Sequence, residues 1–130
     1  MKRIEHLGIA VKDLASAEKI FTDVLGIEPY KREEVDDENV ITSFFQTGES
    51  KVELLQSTSD DGPIARHIDK RGEGLHHVAF HVDDIEAEIS RLEQLGYRCI
   101  SGPKGGAEGK RIAFLHPSDT SKVLIELCTD

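Results

Sequence analysis

The feature of this sequence that most constrains its fold is an internal repeat. Residues 4–26 (IEHLGIAVKDLASAEKIFTDVLG) and residues 75–96 (LHHVAFHVDDIEAEISRLEQLG) follow one plan at an offset of about 71 residues. In each copy an apolar strand that contains histidine leads into an acidic turn, an amphipathic helix and a glycine. The repeat therefore predicts two similar supersecondary units in one chain.

Both predicted helices have apolar residues at helical spacing and recognisable ends. The apolar residues that recur every three or four positions are Leu14, Ala17, Phe21 and Val24 in the first helix and Ile85, Ile89, Leu92 and Leu95 in the second. Asp13 and Asp84 precede the helices and are suited to cap their first turns. Gly26 and Gly96 stand where a left-handed helix stop is expected.

Shorter alternating stretches follow each helix, so that each half has the order βαβββ. These predicted strands cover residues 27–35, 40–47 and 51–56 in the first half and residues 97–101, 111–116 and 122–128 in the second. Residues 57–73 are rich in Ser, Asp and Gly, and Pro63 is placed to begin a short helix that ends at Arg71. We predict one α+β domain over residues 1–130, with module 1 at about 1–56, a linker at 57–73 and module 2 at about 74–130.

Length, charge and cysteine content limit the functions open to the chain. A length of 130 residues fits one domain, and a net charge of −9 argues against a protein that coats nucleic acid or a membrane surface. No apolar run approaches the roughly 18 residues of a membrane span, and Asp13 interrupts the start of the chain before a signal-peptide core forms. We therefore expect a cytoplasmic protein. Cys99 and Cys128 lack the spacing of a zinc knuckle or a disulfide framework.

Four potential metal ligands share one property of their strands. Because side chains alternate along a strand, His6, Glu53, His77 and Glu126 each lie on the face opposite the large apolar residues that pack against helices. The repeat pairs the two histidines and the two glutamates. Singly, each residue is more often a solvated or inert position, but the symmetric set favours a catalytic site for a divalent metal such as Co²⁺, Mn²⁺, Ni²⁺ or Zn²⁺.

The residues lie in segments that resemble the vicinal oxygen chelate superfamily and, within it, the methylmalonyl-CoA epimerase family. The segments are HLGIAVKDL at 6–14, KVELL at 51–55, GPIARHI at 62–68, LHHVAFHVDDI at 75–85 and GAEGKRIAFLHPSDTSKVLIEL at 106–127. The resemblance implies a curved, cup-shaped, eight-stranded mixed sheet made from the two modules, a homodimer, and metal ligands at His6, Glu53, His77 and Glu126. Strand alternation assigns the ligand role to His77 and not to its neighbour His76.

The activity implied by the resemblance is interconversion of the 2R and 2S forms of methylmalonyl-CoA. The α-proton leaves through a metal-stabilised enolate, and Co²⁺ is the favoured ion. Glu126 and Glu53 are our candidates for the two acid and base groups. Some epimerases of this family carry a proton-relaying glutamate where this chain has Thr42, which leaves open the identity of one base.

The implied acyl-CoA substrate is anionic, so the acidic protein must present cations near the site. Lys110 and Arg111, in the loop GPKGGAEGKR, are the expected contacts, and Arg111 is suited to hold a carboxylate by two hydrogen bonds. The alternative for this loop is a solvated segment without a role in binding. His81 is expected either to contact substrate or to be an inert polar position.

Two other functions fit the same superfamily. One is a glyoxalase I-like lactoylglutathione lyase, which uses a similar set of His and Glu ligands. The other is a non-catalytic protein that binds a small molecule. The segments GAEGK and FLHP favour the epimerase family, and the retention of all four ligand-type residues argues against a non-catalytic binder.

Overall fold

The computed structural model describes all 130 residues and shows eight strands and three α-helices in the order βαβββ, α, βαβββ. The helices are α1 (Leu14–Leu25), α2 (Pro63–Arg71) and α3 (Ile85–Gln94). The strands are β1 (Arg3–Ala10), β2 (Lys31–Val35), β3 (Val40–Thr47), β4 (Ser50–Ser57), β5 (Gly74–His81), β6 (Cys99–Gly105), β7 (Arg111–Leu115) and β8 (Ile125–Thr129).

The strands form one mixed sheet in the order β2-β3-β4-β1-β5-β8-β7-β6. The β5–β8 pair is parallel, whereas β2–β3, β3–β4, β6–β7 and β7–β8 are antiparallel. The predicted α+β class and eight-stranded mixed sheet are therefore confirmed.

Backbone contacts divide the chain into two compact units, residues 1–6 with 77–130 and residues 7–76. This division cuts through β1, whereas the repeat predicts a boundary in the linker at 57–73. The single domain and its module limits stay a prediction.

The unit of residues 7–76 is built on the antiparallel strands β2, β3 and β4. Phe45 of β3 and Leu54 of β4 are fully buried beside Leu14 and Ala17 of α1. Helix α2, which begins at Pro63 as the sequence predicts, contributes Ile64 to a second cluster. Its partners in that cluster are Ala10, Val40 and Leu55.

The unit of residues 1–6 and 77–130 places α3 against one face of its strands. Ile85, Ile89 and Leu92 of α3 form a core with Ala113 of β7 and Leu127 of β8. The other face of the same strands carries a smaller apolar cluster of Ala79, Ile112 and Cys128. Alternation along β7 and β8 therefore separates a helix-covered face from a second face that is free for polar side chains.

The helix ends follow the sequence. Asp13 accepts a hydrogen bond from the backbone N–H of Ser16 at 3.0 Å, and Asp84 accepts one from Ala87 at 3.1 Å. Gly26 closes α1 in the left-handed region at φ 71°. None of the helices combines the length and the apolar character that a membrane span requires.

The prediction that Val24 and Leu95 belong to the buried faces of the two helices is wrong. Val24 is 73% exposed and Leu95 is 64% exposed. With 3.6 residues per turn, each lies about 80° around the helix from the first core residue, at the edge of the buried stripe. In α1 the core contact is made by Leu25 instead.

Several strand bounds also differ from the prediction: β6 covers Cys99–Gly105 and not residues 97–101, and the starts of β2 and β8 differ most. Strand β2 begins at Lys31 and not at residue 27, because Pro29 has no N–H to donate to a ladder. Strand β8 begins at Ile125 and not at residue 122, because Ser121 and Lys122 have positive φ angles of 57° and 70° and form a turn. Sequence periodicity carries no signal for a left-handed turn at residues other than Gly and Asn.

His76 gives a prediction for the pH dependence of folding stability. Burial, with a smaller effect from neighbouring His67, lowers the pKa of His76 from 6.5 to about 4. Between these values the unfolded chain binds a proton that the folded protein does not, so stability falls as the pH falls through this window. We expect this residue to account for a loss of about 2 kcal/mol between pH 7 and pH 5.

Urea unfolding at pH 7 and pH 5 measures this loss. The stability of His76→Gln should fall less over the interval than that of the wild type, by about 2 kcal/mol. His116→Gln, which removes an imidazole from a turn, is the matched control. An equal loss in the wild type and in His76→Gln would show that burial of His76 does not matter.

Candidate metal centre

Three of the predicted ligands lie together in the unit of residues 1–6 and 77–130. His6 Nε2 is 3.0 Å from His77 Nε2. Glu126 places Oε2 at 3.6 Å from His6 Nε2 and Oε1 at 3.3 Å from His77 Nε2. The ligand atoms of the three side chains all lie within 4.8 Å of one another. We call this group the His6–His77–Glu126 cluster.

The strand pairing explains why these side chains meet. Strand β5 runs parallel to β8 with Ala79 opposite Glu126, so His77, two residues earlier on the same face, lies close to the glutamate. From the other side of β8, Phe114 of β7 is opposite Glu126. The Phe114 ring meets the His77 ring edge to face at 6.0 Å between centroids. An aromatic side chain therefore borders the cluster.

The cluster is buried. His6, His77 and Glu126 are 5%, 7% and 4% exposed, and the neighbouring Glu5 is 3% exposed. Buried carboxylates persist only when partners compensate their lost hydration, and a bound cation is a suitable partner for the donors gathered here.

These donors fit a divalent metal ion. Two imidazole nitrogens and a carboxylate oxygen are the donor types that first-row divalent metals prefer, and a three-residue set leaves positions open for a substrate. Two Nε2 lone pairs cannot face each other at 3.0 Å, so without a cation one ring must donate its Nε2–H to the other. A cation between the rings would take the place of that proton.

Glu5 is a neighbour of the cluster that the sequence did not reveal. Its Oε1 lies 2.7 Å from His6 Nδ1, the ring nitrogen that points away from His77. Strand alternation places Glu5 on the face opposite His6, where it precedes Leu7 and Ile9. The sequence did offer one sign, because Glu5 shares its strand face with apolar residues. Glu is almost never fully buried without a partner, so a glutamate at such a position indicates a specific contact.

Glu53 belongs to the unit of residues 7–76. It lies in the middle of β4, 5% exposed, and it is opposite Phe44 of β3. Its strand neighbours Lys51 and Leu55 point to the same face and are also buried. The placement of Glu53 on a buried strand agrees with the sequence, and its role as a ligand stays a prediction.

Thr42 also lies in this unit and is 1% exposed on β3, opposite Leu55 of β4. Strand alternation therefore puts Thr42 on the same face as Glu53. Its hydroxyl is not an acid or base near neutral pH, so the side chain at this position cannot relay a proton as a glutamate does.

The three candidate substrate contacts lie in different surroundings. His81 follows His77 and Ala79 on one face of β5, and its buried Nδ1 has no hydrogen-bond partner. Lys110 forms an ion pair with Asp130. Lys110, with smaller effects from His81 and Arg3, lowers the pKa of Asp130. These contacts place His81 and Lys110 at the same end of the unit.

Arg111 points elsewhere. It alternates with Ala113 and Leu115, which pack against α3, and its Nη2 contacts Glu86 Oε1 of α3 at 2.5 Å. Arg111 is therefore on the helix-covered face, whereas Phe114 beside the cluster is on the opposite face. The structure does not bring Arg111 together with the His6–His77–Glu126 cluster.

Comparison with known proteins gives consistent results for family and fold. The family model described as "Glyoxalase/Bleomycin resistance protein/Dioxygenase superfamily" matches residues 5–114. An ethylmalonyl-CoA/methylmalonyl-CoA epimerase of Cereibacter sphaeroides is 37% identical over 128 residues, which are 96% of this chain and 96% of that protein. The mitochondrial methylmalonyl-CoA epimerase of Bos taurus is 38% identical over 127 residues, covering 96% of this chain and 73% of the relative.

A solved structure is also similar over the whole chain. It is a Streptomyces coelicolor methylmalonyl-CoA epimerase variant in complex with 2-nitronate-propionyl-CoA. Its TM-score to this chain is 0.93 at 33% sequence identity, and the match covers 100% of this chain and 95% of the other.

The cluster gives a prediction for metal affinity. His77→Ala removes one of three clustered donors, and we expect the affinity for Co²⁺ to fall by at least about 100-fold, because the loss of a residue that only supports a ligand already costs 10- to 100-fold. Isothermal titration calorimetry of protein stripped with a chelator measures the change. His67→Ala is the matched control, since His67 contacts His76 and lies outside the cluster. Equal affinities for the two variants would contradict a metal centre at His77.

Proposed function

The chain belongs to the glyoxalase/bleomycin resistance protein/dioxygenase superfamily, and we propose that within it the protein is a methylmalonyl-CoA epimerase. The superfamily to which the sequence segments pointed is thereby confirmed. Relatives named as epimerases over nearly the full chain support the activity. The observation that carries the proposal is the buried His6–His77–Glu126 cluster, whose donors fit a divalent cation.

Epimerisation sets a clear chemical requirement for such a site. The proton on the carbon between the carboxylate and the thioester must leave, and a proton must return to the opposite face. We propose that His6, His77 and Glu126 hold a divalent ion, with Co²⁺ favoured and Mn²⁺, Ni²⁺ or Zn²⁺ possible, and that Glu53 completes the ligand set. Such an ion supplies positive charge where negative charge develops on the substrate oxygens.

The protein supplies the proton transfers. Glu126 is the proposed acid and base for one face of the substrate carbon and Glu53 for the other. The sequence repeat, which pairs the two glutamates, and their burial at 4% and 5% exposure support this assignment. Thr42 cannot contribute a carboxylate, and Glu38 or Glu49 is the alternative source of the second base if its loop turns inward.

The other residues of the proposal recognise an acyl-CoA. His81 offers a buried nitrogen that lacks a partner within the protein, and a polar group of the substrate would satisfy it. Lys110 is proposed to attract a negatively charged group of the coenzyme. Arg111, on the opposite face of β7, is proposed to exchange its exposed ion pair with Glu86 for a negatively charged group of the coenzyme. A homodimer and a cytoplasmic location complete the proposal.

Proton exchange tests the activity. In D₂O with Co²⁺ present, the wild type should replace the α-proton of methylmalonyl-CoA by deuterium and interconvert the 2R and 2S forms. Mass spectrometry and chiral analysis follow both events. Isomerisation of the glutathione hemithioacetal without such exchange would identify a glyoxalase I-like lyase instead, and binding without either reaction would identify a non-catalytic binder.

The two glutamates give a separate prediction. If each serves one face, Glu126→Gln and Glu53→Gln should each lower epimerisation by about 100-fold or more, the usual contribution of a positioned acid or base. A variant that keeps one working base should still exchange the proton of one epimer with retention of configuration. Glu88→Gln, which changes a surface ion pair with Arg91, is the matched control. Epimerisation within twofold of the wild type in both site variants would exclude these residues as acid and base.

A further inference from the structure

A buried hydrogen bond lies behind the proposed metal centre. His6 Nδ1 and Glu5 Oε1 are 2.7 Å apart, and the two side chains are 6% and 4% exposed. The contact joins consecutive residues of a strand, whose side chains would ordinarily point to opposite faces. The Glu5 carboxylate must therefore turn toward the ring of its neighbour to make it.

This contact decides which nitrogen of His6 carries a proton. An ionised carboxylate only accepts hydrogen bonds, so an ionised Glu5 accepts from His6 Nδ1–H. In the neutral ring Nε2 then carries the lone pair, and Nε2 is the atom that faces His77 and Glu126. The tautomer that Glu5 selects is the one that a metal ligand requires.

We infer that Glu5 is a positioning residue for the metal centre: its carboxylate fixes the tautomer and the orientation of His6 so that Nε2 is directed to the cation. This inference rests on the metal centre of the proposed function. A carboxylate on the far nitrogen of a ligating imidazole also increases the basicity of the metal-binding nitrogen. Glu5 itself does not touch the substrate in this account.

The burial of Glu5 supports its role as a positioning residue. A carboxylate that served only to stabilise the strand would sit at lower cost near water, because taking a charge out of water costs several kcal/mol before its partners are counted. Glu5 is instead among the least exposed charged residues of the chain, at 3%. Its burial beside His6 supports a role in ordering that ring.

Two substitutions separate positioning from packing. Glu5→Gln keeps the size of the side chain and an oxygen that can accept from Nδ1, but it removes the charge. Glu5→Leu keeps the approximate volume and removes the acceptor. We expect Co²⁺ affinity, measured by calorimetry, to fall by about 10-fold in Glu5→Gln and by up to about 100-fold in Glu5→Leu. Glu88→Gln is the matched control and should bind Co²⁺ like the wild type.

Nitrogen-15 NMR of the metal-free protein gives a readout that packing alone would not move. The wild type should show His6 protonated at Nδ1, and Glu5→Gln should populate the Nε2–H tautomer to a measurably greater extent. If Glu5→Leu does not fold, Glu5→Gln provides both measurements.

Unchanged affinity and an unchanged tautomer in a folded Glu5→Gln would overturn the inference while leaving the metal centre in place. A wild type that binds no divalent metal would overturn both. The proton-exchange assay fails or succeeds separately from either result, so it identifies a failure of the epimerase proposal itself.

Discussion

The central constraint on this structure is the free energy lost when two imidazoles and a carboxylate are buried together away from water. Buried ionisable groups persist only when partners compensate their lost hydration. His6, His77 and Glu126 come from three strands, β1, β5 and β8, and the parallel pairing of β5 with β8 holds the last two side by side. Ala79, Ile112 and Cys128 form an apolar cluster on the same face of the strands. A fold that keeps such a cluster intact is therefore one that is suited to a bound cation.

Much of this could be predicted from the sequence because it depends on local rules. The repeat gives the order of elements, and the caps at Asp13 and Asp84 follow from residue type and position. Alternation assigns His77 and not His76 to the face of Glu126. Each of these inferences uses only the period of a strand or the ends of a helix.

The features that the sequence did not reveal depend on contacts between distant residues or on the direction in which a side chain points. Alternation cannot reveal that Glu5 turns back toward His6, because it describes where a side chain starts and not where its end group lies. Composition likewise could not reveal that Arg111 contacts Glu86 of α3, because its neighbours on β7 place it on the helix-covered face. Val24 shows the same limit, because helical spacing marks a broad stripe whose edges only tertiary packing defines.

X-ray absorption of the Co²⁺-loaded protein tests most directly the claim that His6 and His77 bind the metal. Multiple scattering from imidazole rings gives the number of histidine ligands. The account predicts two histidines and further oxygen ligands in the first shell, at distances of about 2.0–2.2 Å typical of nitrogen and oxygen donors. The number of histidines should drop to one in His6→Ala. A first shell of oxygen alone, or one that does not change in that variant, would contradict the account.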